Sequence, residues 1–200
     1  INNVSKTEAR KKFNLPIDSI IFLSLSRFNV KKGLKRVNDY AKDYSKTSNK
    51  KICLIYAGKD EGFKKELQKF LEDAKKCKNY EIIIIEDIFS DDRFNLYKSA
   101  DIFLGFPLIF EETMLASLEA LSVGTPVIVS KEASIPYLEK FKAGHEIFSP
   151  ESDNLFSVNK IISEYDTYSR GALDIIKNIF AEEIVTKNLV KIIKEWTIYY

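Results

Sequence analysis

Five short apolar runs, separated by segments with helical spacing, constrain the fold more than any other feature of this sequence. They are residues 20–25, 52–57, 81–85, 101–104 and 127–129. The runs are continuous rather than alternating, which is typical of strands that are covered on both faces. Repeated strand–helix–strand units build a parallel sheet with right-handed crossovers. We therefore predict a Rossmann-like α/β fold, in which a parallel sheet carries helices on both faces.

The segments outside the runs suggest a single domain. Apolar residues recur at helical spacing between the runs, as in Leu34, Val37 and Tyr44. Residues 145–148 predict one last short strand, and the pattern after Pro150 is helical. No repeat or long linker divides the 200 residues. We predict one domain over residues 1–200, with its core at about 19–150 and a helical tail at about 151–200.

Composition excludes several classes of function. The 31 Lys and Arg residues nearly balance 29 Asp and Glu residues, for a net charge of +2, which argues against a nucleic acid partner. Cys53 and Cys77 are too few for a disulfide framework, so we expect free thiols and a cytoplasmic location, with a peripheral position at a membrane as the alternative. A single histidine leaves no zinc cluster, and no apolar run approaches a membrane span.

A basic turn follows the first predicted strand. Five basic residues fall within ten positions there: Arg27, Lys31, Lys32, Lys35 and Arg36. Ligands of open α/β sheets bind beyond the carboxyl ends of the strands, and Arg and Lys side chains suit a phosphate. Gly33 lets the next helix begin without a side chain in the way. The turn is interpreted as an anion site or, alternatively, as a solvated basic loop.

Residues 100–130 contain no Lys or Arg but hold the acids Asp101, Glu111, Glu112 and Glu119. We predict a buried helix over 111–121 that begins at Glu111. On one helix, Glu111 and Glu119 would stand about 12 Å apart and about 80° around the axis, so they could bind hydroxyl groups at two ends of an extended ligand. The alternatives are a helix cap for Glu111 and a surface-edge or lysine-paired acid for Glu119.

Four motifs in this order resemble the C-terminal, donor-binding domain of retaining GT-B glycosyltransferases of family 4, over about residues 8–148. Arg27 is followed five residues later by Lys32-Gly33. Tyr97 precedes Ala100-Asp101, which opens a strand. Glu111 is separated by seven residues from Glu119-Ala120, and Gly124-Thr125-Pro126-Val127-Ile128 then enters the last of the five strands.

The resemblance implies roles for individual residues. Arg27 and Lys32 would contact the donor diphosphate, Glu111 the donor sugar and Glu119 the ribose, with Arg27, Lys32 and Glu111 as the catalytic set. The rest of the nucleotide-sugar site would comprise Ile88 and Phe89 beside the base, and Thr113, Met114 and Leu115. The family needs no metal, so no cofactor is expected and the nucleotide-sugar is a substrate.

The resemblance also implies an N-terminal domain of the same chain that holds a glycan, lipid or protein acceptor. We therefore expect the 200-residue piece alone to be inactive in transfer. The sequence has Glu112-Thr113-Met114 where the family usually has Gly-Phe-Gly, so a non-catalytic binding module with a degraded donor site is the alternative. A nicotinamide-dependent enzyme is disfavoured because no Gly-x-Gly-x-x-Gly follows the first strand. His145 is predicted to be structural.

Overall fold

The computed structural model describes residues 4–88, 92–111, 115–153 and 155–198, with side chains described up to residue 190. The strands are β1 (Ile20–Leu25), β2 (Ile52–Gly58), β3 (Tyr80–Glu86), β4 (Ile102–Gly105), β5 (Val127–Ser130) and β6 (Gly144–Ile147). The α-helices are α1 (Lys6–Lys12), α2 (Leu34–Thr47), α3 (Lys64–Ala74), α4 (Asp92–Ser99), α5 (Leu115–Ser122), α6 (Phe156–Ser163), α7 (Tyr165–Ile175) and α8 (Glu182–Ile198). A π-helical turn, Ile176–Phe180, joins α7 to α8.

The six strands form one parallel sheet in the order β3-β2-β1-β4-β5-β6. The chain builds outward from β1 to β3 and then returns to the other side of β1 with β4. In register, Phe22 of β1 pairs with Leu54 of β2 on one side and Ile102 of β4 on the other. The point where the winding reverses, between β1 and β4, is where open α/β sheets form a crevice for ligands.

Two apolar cores cover the two faces of the sheet. Neighbouring residues of a strand point to opposite faces, so Phe22 belongs to one core and Leu23 to the other. The first core packs against α2, α3 and α6, and the second against α4, α5 and α7. Strand residues that point to either face are therefore buried, which explains why the apolar runs are continuous. The predicted α/β fold, with helices on both faces and a helical tail, is confirmed.

Two predicted elements have different bounds in the structure. The helix expected over 111–121 is described from Leu115 onward as α5, Glu111 itself is not helical, and residues 112–114 lie outside the described residues. The 12 Å separation calculated for two positions on one helix therefore does not apply to Glu111 and Glu119. The predicted strand at 145–148 is found one residue earlier, as β6.

The opposite, amino end of the sheet is fastened by a buried ionic cluster. The Arg10 guanidinium donates to the carbonyl oxygens of Ser99, Ile17 and Ser19 at 3.0, 2.6 and 3.1 Å. It also pairs with Asp101 at 2.7 Å, and Asp101 accepts the amide of Ile21. These bonds join α1 to the starts of β1 and β4. Asp101, one of the acids in the cation-free stretch, is therefore structural and far along the strands from the carboxyl ends.

Candidate functional site

The β1–α2 loop and the β4–α5 loop meet at the carboxyl ends of β1 and β4. Lys32, in a 3₁₀ turn of the first loop, donates to the carboxylate of Glu111 at the end of the second. Only 20% of the Lys32 side chain and 18% of the Glu111 side chain are exposed. Residues 79 positions apart thus form an ion pair at the reversal point of the sheet. The structure brings together these two residues predicted from the sequence, in the loops that follow two adjacent strands.

Gly33 permits this approach of the two loops. Its φ of +63° lies in the left-handed region, and a Cβ at this position would stand 1.8 Å from the carbonyl oxygen of Phe106. Any side chain would therefore collide with the backbone that follows β4. Directly beyond this contact, the amide of Leu108 donates to the carbonyl oxygen of Lys31 at 2.8 Å. The two loops are consequently joined through their backbones as well as through the ion pair.

Arg27 lies beside the end of β2 and is more open to solvent. Its guanidinium pairs with Glu61 at 3.0 Å, and the other oxygen of Glu61 accepts the side-chain amide of Asn29 at 2.8 Å. The pairing of β1 with β2 extends past both strands through a bridge between Phe28 and Asp60. Because 65% of the Arg27 side chain is exposed, the ion pair with Glu61 is weak and the guanidinium can be recruited by an anion.

Glu119 is held by two neighbours from α4. Its Oε2 accepts the hydroxyl of Tyr97 at 3.0 Å, and its Oε1 pairs with the Arg93 guanidinium at 3.0 Å. Tyr97 is fully buried, and burial together with the Glu119 charge raises the pKa of its hydroxyl, which stays protonated and donates. A carboxylate offers about four acceptor sites, so Glu119 has capacity for further hydrogen bonds. The charged partner of this acid is an arginine rather than a lysine.

The remaining basic residues of the turn are engaged separately. Lys35 pairs with Asp39 along α2 and is 73% exposed. Arg36 is mostly buried, donates to the carbonyl oxygen of Pro107 at 3.0 Å and lies 3.6 Å from the carboxylate of Glu132. The basic turn is thus not a uniformly solvated loop, because two of its cations reach the β4–α5 segment.

Comparison with known proteins decides the family of this fold and site. Residues 5–163 match the family described as glycosyl transferases group 1, which is most of the chain. The chain belongs to the group 1 glycosyltransferases. An uncharacterized glycosyltransferase of Methanocaldococcus jannaschii is 22% identical over 164 residues, which are 80% of this chain and 40% of that protein.

Solved glycosyltransferase structures share the fold of this group 1 domain. WaaG, which is involved in lipopolysaccharide biosynthesis, superposes with a TM-score of 0.69 at 18% identity, over 88% of this chain and 48% of WaaG. HepE of Anabaena, in complex with UDP, superposes with a TM-score of 0.74 at 16% identity, over 98% of this chain and 54% of HepE. The isolated C-terminal domain of LpcC from Francisella tularensis superposes with a TM-score of 0.70 at 18% identity, over 90% of this chain and 95% of that domain. The chain spans about half the length of WaaG and HepE, and the predicted membership of a C-terminal GT-B domain is confirmed.

The other residues predicted for this glycosyltransferase site have varied surroundings. Ile88 packs against the second core, and Leu115, the first residue of α5, is 67% exposed. Phe89, Thr113 and Met114 lie outside the described residues. His145 is 2.7 Å from the hydroxyl of Tyr168 through Nε2, in agreement with a structural role.

Within the ranges 4–88, 92–111, 115–153 and 155–198, no group of three or more His, Cys, Asp or Glu side chains is arranged to hold a metal ion. No helix in those same ranges is long and apolar enough to cross a membrane. The charged groups described at the carboxyl edge include the cations Arg27 and Lys32 and the carboxylate of Glu111. Such a set can neutralise an anionic group and accept hydrogen bonds from hydroxyl groups.

Three residues of the site were missed by sequence reasoning: Glu61, Arg93 and Glu132. Arg36 was predicted as part of the basic turn, but its contacts with Pro107 and Glu132 were not. Glu61 and Glu132 follow β2 and β5 closely, so reading the carboxyl end of every strand in the same way would have found them. Arg93 carries no comparable signal, because its contact with Glu119 depends on how α4 packs against α5.

Proposed function

We propose that this group 1 glycosyltransferase domain binds a nucleotide-diphosphate sugar and supplies the donor side of a retaining glycosyl transfer. The observation that carries the proposal is the ion pair between Lys32 and Glu111 across the reversal point of the sheet. A cation for phosphate and a carboxylate for sugar hydroxyls stand next to each other there. The structures of HepE with UDP and with UDP-glucose support a donor of this class.

Each residue has a defined part in the proposal. Lys32 and Arg27 bind the diphosphate and offset the charge that grows on it as the glycosyl bond breaks. Glu111 accepts hydrogen bonds from the sugar, and Glu119 accepts them from the ribose. The acceptor is held by another domain, so the 200-residue chain binds the donor without transferring it. Independence from metals and a cytoplasmic location stay predictions.

The first expected result concerns the diphosphate cations. We expect Lys32→Ala to weaken nucleoside-diphosphate binding about ten- to a hundredfold, since the change removes a charge-assisted contact and leaves Glu111 as an uncompensated negative charge near the phosphates. Arg27→Ala should weaken binding less, by about three- to tenfold, because its guanidinium is largely exposed. Isothermal calorimetry with UDP, GDP and ADP measures both effects.

Lys35→Ala is the matched control for these variants. Lys35 lies three residues from Lys32, but its ion pair stays within α2 and its side chain is exposed, so affinity should remain within about twofold. Unchanged affinity in both Lys32→Ala and Arg27→Ala would contradict the diphosphate assignment. The non-catalytic alternative instead requires that no nucleoside diphosphate binds the wild-type domain.

A further inference from the structure

Arg36 connects two segments that surround Glu111. It lies on α2, and its guanidinium donates to the carbonyl oxygen of Pro107, where the β4–α5 loop begins. The same Nη1 lies 3.6 Å from the carboxylate of Glu132, in the 3₁₀ turn after β5. One mostly buried side chain therefore contacts both the loop that follows β4 and the turn that follows β5.

Glu132 carries this connection to Glu111. The backbone carbonyl of Glu132 accepts the amide of Glu111 at 2.7 Å. The loop is consequently held near its start, at Pro107, by Arg36 directly, and at Glu111 by Glu132, whose side chain lies beside Arg36. Both anchors act on the backbone and are independent of the Lys32 side chain.

The charge balance makes the link between Arg36 and Glu132 important. Among the described residues, Glu132 Oε2 is buried and accepts no hydrogen bond, so the Arg36 cation provides its nearest compensation. Burial works against ionisation of Glu132, but the neighbouring Ser130 hydroxyl and Glu132 amide, with the positive charges of Arg36 and Lys131, keep the pKa of the carboxyl below its usual value. Removing Arg36 would leave this partly buried carboxylate with only the charge of the adjacent Lys131 to offset it, beside the Glu111 anchor.

We propose that Arg36 and Glu132 are positioning residues that keep Glu111 in place for the donor sugar, an inference that rests on the proposed function. Lys32 pairs with Glu111 in the structure, but a bound diphosphate would draw the Lys32 charge toward the phosphates. Glu111 then stays in place through its backbone, because its amide donates to Glu132 and Arg36 holds the same loop at Pro107. The affinity for the nucleotide part of the donor does not depend on these contacts of Arg36 and Glu132.

The test compares two ligands on the same proteins. Kd is measured by calorimetry for the nucleoside diphosphate that binds best among UDP, GDP and ADP, and for its glucose conjugate. The ratio of the first Kd to the second isolates the part of the affinity that comes from the sugar. Glu111→Gln should lower this ratio about five- to tenfold, and Arg36→Met should lower it at least about threefold, with the diphosphate Kd within about twofold of wild type.

Two further variants separate positioning from folding. Lys35→Met removes the neighbouring exposed cation and should leave the ratio unchanged. In the double variant Arg36→Met with Glu132→Gln, the uncompensated charge is gone, so the melting temperature should return toward wild type. The ratio should stay low, because Pro107 still lacks its donor.

The outcomes are distinguishable. A ratio that falls in Glu111→Gln but not in Arg36→Met overturns the positioning inference alone, as does an equal loss of affinity for both ligands in Arg36→Met. Recovery of the ratio together with the melting temperature in the double variant also overturns it. A wild-type domain that binds no nucleoside diphosphate, or a Glu111→Gln variant with an unchanged ratio, overturns the proposed function and this inference with it.

Discussion

Glu119 combines a structural contact with a free binding capacity. Tyr97 donates to one oxygen of the carboxylate and Arg93 forms an ion pair with the other, whereas a carboxylate offers about four acceptor sites in all. Both neighbours come from α4, so they also fix the direction of the carboxylate. The sequence left open whether Glu119 binds a ligand or stabilises the structure. One side chain can do both, because its contacts with α4 leave capacity for further hydrogen bonds.

Glu119→Gln distinguishes how much each role contributes. The change keeps the size and one acceptor oxygen but removes the charge. We expect nucleoside-diphosphate affinity to fall about tenfold or more, since a charged acceptor of the ribose hydroxyls is lost. The free energy of unfolding should fall by only about 0–1 kcal/mol, because Arg93 is more than a third exposed and its ion pair is screened. Urea midpoints and calorimetric Kd values on the same proteins measure both quantities.

Arg93→Gln is the matched control for this prediction. It removes the ion pair but leaves the carboxylate, so affinity should stay within about threefold. Lower stability of Glu119→Gln with intact affinity would refute the ribose role.

At the scale of elements, the site depends on how closely the β1–α2 loop approaches the β4–α5 loop. Gly33→Ala tests this approach. The left-handed φ costs an alanine about 1 kcal/mol, and the collision of its Cβ with the Phe106 carbonyl forces one loop to move. We expect a loss of about 2–4 kcal/mol in the free energy of unfolding, together with weaker nucleotide binding.

Gly62→Ala separates the collision from the backbone strain. Gly62 also has a positive φ, of +92°, but a Cβ there meets no atom within 4 Å. Its variant should lose only the strain, about 1–2 kcal/mol, and bind nucleotide normally. Equal losses of stability in the two variants, measured by urea denaturation, would show that the loop contact is unimportant.

The elements themselves were largely predictable, and the exceptions have physical reasons. The β1 and β2 runs are apolar on both faces, so their positions followed from the sequence. Helix α1 was missed although Ser5 and Glu8 form a capping box at its start, a signal that the mixed polarity of the surrounding residues obscures. Glu111 was expected at the start of a helix because acids favour that position; in the structure Glu111 itself is not helical, and its amide donates to the carbonyl oxygen of Glu132.

The candidate site was predictable only in part. The spacing of Arg27 and Lys32, and of Glu111 and Glu119, pointed to the carboxyl edge of the sheet. The contact of Arg36 with Pro107 joins residues 71 positions apart, and that of Arg93 with Glu119 joins two helices. No local pattern encodes either contact, because both depend on the packing of elements that the sheet brings together.

At the scale of the whole molecule, the two ends of the sheet differ in what their charges do. At the amino ends of β1 and β4, the Arg10–Asp101 cluster ties helix α1 to the strands, and its charges are already paired with each other. At the carboxyl ends, the loops carry ion pairs that an anionic donor can rearrange. Because relatives such as WaaG and HepE are about twice as long, the acceptor side of the reaction belongs to another part of such proteins under our proposal.

The central claim is that a nucleotide-diphosphate sugar binds where β1 and β4 diverge. A crystal structure of the domain with its best nucleoside diphosphate tests this most directly. We expect the diphosphate within hydrogen-bond distance of Lys32 Nζ, with the ribose hydroxyls against Glu119. A diphosphate bound elsewhere would contradict the account, for example in the cleft of about 290 Å³ that α2 lines together with Pro150, Glu151 and Leu155.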